Sequence, residues 1–287
     1  MRRTSRRDRF RAILRGNECI RPASVFDPLS ARIAEHLGFE LGIFAGSTAS
    51  LTILGAPDLV LLTATEFVQQ AQRICRATEI PLLVDADHGY GNAMNVARTI
   101  EELAAVGVAA ATIEDTVLPA PFGATGKSEL ISLEEGTDKM RAALAARPDQ
   151  DFVVVGRTSA PIITNVEDTI KRLVAYERAG VDALFIVGLK SLAELTAIAS
   201  ATTLPLILGN ASGELATAVL TARRVRICLQ GHLPIMAAVQ AVYETMKLFR
   251  DGTSPAEIRN VAPSTLMKPL TRTANYEAAA KNYLSVK

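Results

Sequence analysis

Eight short apolar runs recur along the chain, each followed by a loop and an amphipathic stretch, and no other feature restricts the fold as tightly. They lie at Ile20 to Val25, Glu40 to Ala45, Ile80 to Val84, Ala109 to Ile113, Phe152 to Val155, Ala183 to Val187, Leu204 to Leu208 and Val225 to Leu229. Between them, Ser30 to Leu37, Glu66 to Arg76, Asn95 to Val106, Leu133 to Leu144 and Val166 to Ala179 carry helical spacing. Short, continuously apolar strands alternating with helices predict a parallel sheet covered on both faces. Gly107 and Gly180 sit where a helix ends and a strand begins, the place where a left-handed cap is needed. Eight such units predict a (β/α)8 TIM-type barrel, with an open doubly wound sheet as the alternative.

Length decides little between one domain and two, but 287 residues is ordinary for one barrel, and no linker or low-complexity segment divides the chain. We therefore expect one barrel domain over residues 1–287, with residues 254–287 as a helical extension beyond the eighth unit. A hydrophobic share of 49% against 21% charge supplies a core and marks a soluble globular protein. The formal net charge of +1 gives no field for attracting nucleic acid or anionic lipid, so neither is an expected partner. Cys19, Cys75 and Cys228 are scattered singly, which suggests neither disulfide framework nor zinc site and points to a reducing, cytoplasmic setting. No apolar run approaches the length of a membrane span. The basic segment Met1 to Arg9 lacks the apolar region of a secretory signal and reads as the start of a solvated helix; an organellar presequence is the alternative.

Polar residues mark the carboxyl ends of these strands. Gly46-Ser47 follows the second, Asp85 and Asp87 the third, Glu114-Asp115 the fourth, Arg157 the fifth, Asn210 the seventh and His232 the eighth. In a barrel those ends share one mouth, where catalytic groups are carried. Asp85 and Asp87 are two residues apart, so continued strand geometry would point both to one side. Two anions held so close repel, and one takes up a proton unless a cation lies between them. The competing reading is that Asp87 or Asn92 caps the helix that follows.

The segments Gly46-Ser47, Leu54-Gly55-Ala56-Pro57-Asp58, Asp85-Ala86-Asp87-His88-Gly89-Tyr90-Gly91, Ile113-Glu114-Asp115 and Gly156-Arg157-Thr158 together resemble the isocitrate lyase and phosphoenolpyruvate mutase superfamily. The resemblance spans about Phe10 to Arg250. It implies a Mg²⁺-dependent barrel acting on α-keto or α-hydroxy carboxylates through enolates, assembled as a homotetramer, a dimer of dimers that exchanges a C-terminal helix. Residues 254–287 are the expected source of that helix, with a private amphipathic tail as the alternative. The carbon–carbon lyases of the superfamily carry a Lys-Arg/Lys-Cys-Gly-His loop after the fourth strand. Here Pro119 to Lys127 has neither cysteine nor histidine. With Asp-His-Gly-Tyr-Gly and Gly231-His232, the chain is more similar to the oxaloacetate decarboxylase branch, although the aromatic residue expected around Leu208 to Ala211 is missing.

Decarboxylation fits these residue types on physical grounds. Loss of CO₂ from a β-keto acid leaves an electron pair that must flow into the neighbouring ketone, so positive charge must meet that oxygen. Mg²⁺, or Mn²⁺ in its place, usually takes one or two carboxylates directly and keeps several waters. Asp85 is therefore the expected direct ligand, with Asp58, Asp87 and Glu114 holding bound waters. Gly46, Ser47, Arg157 and His232 are the expected contacts to the 2-oxo acid, and Arg157 and His232 the catalytic candidates. Arg157 offers two parallel donors to a carboxylate and stays charged. A surface ion pair for Arg157 and a structural place for His232 are the alternatives. His88, Tyr90 and Asn92 are expected to shape the turn and His36 to be structural, with Asp115 and Lys127 as minor candidates. Pyruvate and CO₂ are the expected products. The rival readings are a lyase or hydrolase of the same superfamily acting on a related acid or phosphonate, and a barrel that binds keto acids without turnover.

Overall fold

In the computed structural model, which describes residues 3–124, 126–210 and 217–284, the eight apolar runs form one parallel sheet in sequential order. The strands are β1 (Ala23–Ser24), β2 (Gly42–Ala45), β3 (Leu82–Asp85), β4 (Ala110–Glu114), β5 (Val153–Thr158), β6 (Ala183–Ile186), β7 (Leu206–Leu208) and β8 (Val225–Cys228). Ile20 closes the sheet on itself: its N–H donates to the Arg226 carbonyl at 2.9 Å, and its own carbonyl accepts from Cys228 N–H at 3.0 Å. The fold is thus a (β/α)8 TIM-type barrel, and the open doubly wound alternative falls.

Alternation along the strands sorts the side chains into two layers. Ile43, Leu83, Ala110, Val153, Val155, Phe185, Ile207 and Ile227 fill the interior. Their neighbours Phe44, Val84, Ala111, Val154, Leu184 and Leu206 face the helices. The same parity carries three polar residues inward at the strand ends. Asp85 follows Leu83, Glu114 follows Ala110 and Thr112, and Arg157 follows Val155, so all three face the barrel axis.

The N-terminal helix Arg3–Arg15 corrects the expectation of a solvated helix. Phe10 and Leu14, one turn apart, belong to the interior cluster and close the bottom of the barrel. Arg6 and Arg7 are 9% and 5% exposed and donate to the carbonyls of Thr78 and Ala104 at 2.6 and 3.0 Å. Arg11 reaches the Asp182 carboxylate at 3.1 Å. The loops below the strands present carbonyls that need donors, and long guanidinium side chains supply them while burying their stems.

The helix that follows β8, Leu233–Arg250, buries only Ile235. Val239, Val242, Met246 and Phe249 among others are exposed along it. An apolar groove of about 490 Å³, lined by Phe26, Ile33, Leu37, Phe39, Leu233 and Pro234 among others, stays open beside β1. Residues 254–284 form a short 3₁₀ turn and the helices Ser264–Leu270 and Thr273–Tyr283. They lie back on this chain's own helix Pro28–His36, through Arg272 to Glu35 at 2.9 Å and Arg32 to the Leu270 carbonyl at 3.4 Å. Among the described residues, no helix is long and apolar enough to cross a membrane.

Candidate active site

A cavity of about 450 Å³ opens at the carboxyl ends of the strands, and Ser47, Asp58, Asp85, Asp87, Glu114, Arg157 and His232 all line it. Strand register explains part of this convergence. Asp85 is the neighbour of Thr112 across β3 and β4, and Glu114 is the neighbour of Arg157 across β4 and β5. Asp85 accepts from Thr112 Oγ1 at 2.8 Å and from the Arg157 guanidinium at 2.5 Å. The same guanidinium stands 3.4 Å from Glu114, whose carboxylate accepts from Thr116 Oγ1 at 2.8 Å. The Phe185 ring lies beneath it, 5.4 Å from the guanidinium carbon, which is the contribution of β6 to the mouth.

Strand geometry does not continue from Asp85 to Asp87. A turn closes with the Gly89 N–H on the Ala86 carbonyl at 2.9 Å, and Asp87 adopts a left-handed φ of 47°. Its carbonyl accepts from Glu114 N–H at 2.8 Å, which ties the turn to β4. Its carboxylate rests on Gly46, where a Cβ would meet Asp87 Oδ2 at 2.2 Å. Gly46 is therefore a required gap behind the acid. The helix-cap role belongs to Asn92, which accepts from Met94 N–H at 2.9 Å.

The electrostatics reflect four acids around one guanidinium. Burial, then the charges of Asp85 and Glu114, push Asp87 well above the ordinary carboxylate range. Burial also raises Glu114, although Arg157 opposes it. Asp58, at the rim, is raised by partial enclosure and then by Asp85. Burial works against the charge on Arg157, but Asp85, Glu114 and Asp87 outweigh it and raise its pKa. His232 is held lower by burial, against the pull of Asp85 and Asp58. Its Nδ1 is 2.8 Å from Ser24 Oγ.

An all-oxygen donor set with surplus negative charge suits a hard divalent cation. Among the described residues no three His, Cys, Asp or Glu side chains are arranged to cage a metal by themselves. A cation here would take one or two carboxylates directly and water for the rest.

Other residues singled out in the sequence stand elsewhere. Asp115, one residue on from Glu114, faces the helices and accepts from Tyr176 Oη at 2.6 Å and Arg172 at 3.1 Å. His88 is buried behind the turn, where Lys139 donates to its carbonyl at 3.0 Å, and burial brings its imidazole down to about 4. Tyr90 packs on Phe67 with ring centroids 5.9 Å apart. His36 is exposed on the helix Pro28–His36, and Asn210 is exposed outside the cavity lining. Ala211 and Thr125 lie outside the described residues. Lys127 lines a neighbouring cavity of about 320 Å³ under the Pro119 to Lys127 loop.

Sequence reasoning passed over Ser24, Thr112, Thr116, Ser159 and Ile162. Ser24 ends β1, so the rule that found the other strand-end groups applied to it as well. Thr112 stood out as a polar residue two positions before Glu114. Ile162 carried no polar signal.

Fold and cavity together define a barrel enzyme whose acid-lined mouth holds one deeply paired arginine. The chain belongs to the phosphoenolpyruvate phosphomutase family, whose pattern matches residues 10–250. It is 55% identical, over 284 residues covering 99% of this chain and 98% of the relative, to the oxaloacetate decarboxylase of Rhodopseudomonas palustris strain BisB18. Its fold matches the phosphoenolpyruvate phosphomutase of Streptomyces platensis subsp. rosaceus with a TM-score of 0.86 at 28% identity, covering 97% of this chain and 99% of the other. A phosphonopyruvate hydrolase in complex with oxalate and Mg²⁺ matches with a TM-score of 0.85 at 30% identity, covering 98% and 99%.

Proposed function

We propose that this chain decarboxylates oxaloacetate to pyruvate and CO₂ with the help of a divalent cation, Mg²⁺ or Mn²⁺. The observation that carries this reading is the convergence of Asp58, Asp85, Asp87, Glu114, Arg157 and His232 on one cavity. The name of the 55% identical relative supports the choice of substrate. Asp85 would hold the cation directly, and Asp58, Asp87 and Glu114 would hold its waters. When bound, the cation supplies Lewis-acid stabilisation of the charge that develops on the ketone oxygen.

The chain's own groups orient the substrate. Arg157 presents a charged planar fork to a carboxylate, held in place by Asp85, Glu114 and the Phe185 ring. Ser47 and the backbone N–H groups beside Gly46 donate to a substrate oxygen, and His232 contacts the departing carboxylate or the enolate. Removing one such donor costs about 3 kcal/mol of transition-state stabilisation. No cysteine or histidine lies on Pro119 to Lys127, which favours decarboxylation over a lyase reaction that ends with a proton from that loop.

Assembly with further copies is part of the same proposal. Val261, Leu266, Tyr276 and Tyr283 are exposed beyond 254, and so are Val239, Val242, Met246 and Phe249 along the 18-residue helix Leu233–Arg250; the open groove beside β1 has the apolar lining that such a helix needs. We place this helix in the groove of a second copy, within a homotetramer. Cys19, Cys75 and Cys228 form no disulfide among the described residues, which supports a cytoplasmic setting.

The test is oxaloacetate consumption by purified protein with Mg²⁺, compared with Mg²⁺ alone. A clear excess that Asp85→Ala removes is the expected result. A rate equal to the metal-only control overturns the proposal, and saturable oxalate binding without product would then identify a keto-acid-binding barrel. Pyruvate or glyoxylate released from a methylated malate, a citrate or a phosphonate instead would favour the lyase or hydrolase reading.

A further inference from the structure

Ser24 is 7% exposed at the end of β1, and its hydroxyl has one hydrogen-bond partner among the described residues, Nδ1 of His232 at 2.8 Å. Two arrangements satisfy that distance. If Nδ1–H donated to Oγ, the hydroxyl hydrogen would need another acceptor. The groove wall beside Ser24 is largely apolar, Pro22, Ala23, Phe26, Leu233 and Pro234 with Ser30 and Gln230, and a second copy covering it as proposed above would leave that hydrogen without water. A buried donor left without a partner costs about 1–3 kcal/mol. If Oγ–H donates to Nδ1, the hydroxyl hydrogen and the Nδ1 lone pair satisfy each other and the ring proton sits on Nε2. The far side of the ring agrees, because Asp85 and Asp58 are the charges that act on His232 across the mouth. An N–H turned toward those carboxylates is favourable, whereas a bare lone pair would be repelled.

We propose that Ser24 is a positioning residue that fixes His232 as the Nε2–H tautomer, so that the ring presents a donor to an anionic oxygen of the bound keto acid. This rests on the decarboxylase reading for its effect on turnover, but not for the tautomer itself. Partners that set the tautomer and orientation of metal-binding histidines typically change affinity or activity by about 10–100-fold when removed, and the same orienting role gives the expectation here. Ser24 also lines the groove assigned above to a second copy, so assembly would seal the pair from water on that side.

The experiment uses full-length protein labelled with ¹⁵N-histidine at mildly alkaline pH, where neutral imidazoles dominate. The chain has 3 histidines, and the signals lost in His232→Gln assign the one of interest. The expected spectrum shows a protonated Nε2 and a bare Nδ1 for His232, giving way to a mixture of tautomers in Ser24→Ala. Steady-state kinetics then read the consequence. Ser24→Ala is expected to lower kcat/KM by about 10–100-fold. Ser24→Thr, which keeps the hydroxyl, restores most of that loss, and Ser24→Ala adds nothing in a His232→Gln background. A wild-type Nδ1–H tautomer, an unchanged spectrum in Ser24→Ala, or a full additive loss in the double variant overturns the proposal. If the wild-type protein does not decarboxylate oxaloacetate, the functional reading fails and the spectra still decide the role of Ser24.

Discussion

Arg157 on β5 reaches across β4 to pair with Asp85 on β3 at 2.5 Å, so the expected metal ligand is held by the expected substrate clamp. The two roles compete in the substrate-free protein, because a cation and a guanidinium seek the same carboxylate. Arg157→Met should therefore tighten Mn²⁺ binding a few-fold in the absence of keto acid while lowering kcat/KM by about a hundredfold or more. Isothermal titration gives the first and steady-state rates the second. Weaker metal binding in this variant would show that Arg157 organises the acids rather than competing for them.

Gly46 supplies a sharper steric test. A methyl group there would lie 2.2 Å from Asp87 Oδ2, far inside contact distance, so Gly46→Ala must displace the carboxylate or the backbone beneath it. Turnover and metal affinity should both fall at least tenfold, whereas Gly38→Ala, where an added Cβ would meet nothing within 4 Å but the backbone φ is 84°, serves as the comparison for backbone strain alone. Thermal unfolding measured beside the rates separates a moved acid from a misfolded chain. Unaltered metal affinity in Gly46→Ala would remove Asp87 from the cation's surroundings.

The pH dependence of cation binding follows from the sign of the Asp87 shift. Burial and the neighbouring charges of Asp85 and Glu114 raise its pKa, so below that raised value the carboxyl carries a proton. A cation favours the ionised form and must displace the proton, so affinity weakens as pH falls through the raised value and levels off above it. The same shift opposes folding at high pH: stability that is present below the unfolded carboxyl's pKa is lost as pH rises through the folded one, and the cation offsets that loss. Mn²⁺ titrations at pH values rising from the ordinary carboxylate range should show protons released on cation binding, with the release fading once pH passes the raised value. A profile that is flat above the ordinary carboxylate range would contradict the assignment.

What the sequence disclosed about the barrel came from its two periods. Apolar strands of fixed spacing announced eight βα units, and the polar residues at their ends announced the mouth, because strand parity carries Asp85, Glu114 and Arg157 inward without further information. Residues whose roles depend on through-space partners stayed hidden. The arginines of the helix Arg3–Arg15 looked like a solvated face, since nothing local shows that loop carbonyls from Thr78 and Ala104 lie against them. Ser24 and His232 are 208 positions apart, and only barrel closure brings them to hydrogen-bonding distance.

The helix Leu233–Arg250 offers the remaining prediction. Val242 and Met246 are one turn apart and 53% and 66% exposed, on a helix that buries a single side chain of its own chain. Leaving such a face in water forgoes burial worth about 25 cal/mol per Å², which a second copy would recover in the assembly proposed above. Replacing both with glutamate should dissociate the assembly, seen as a fall in mass by light scattering, because two charges would have to be buried without partners. Since His232 stands at the first position before this helix and lines the mouth, activity should fall with dissociation. Dissociation with full activity would show that the groove and the mouth are independent. An unchanged mass would show that this face is not the contact between copies.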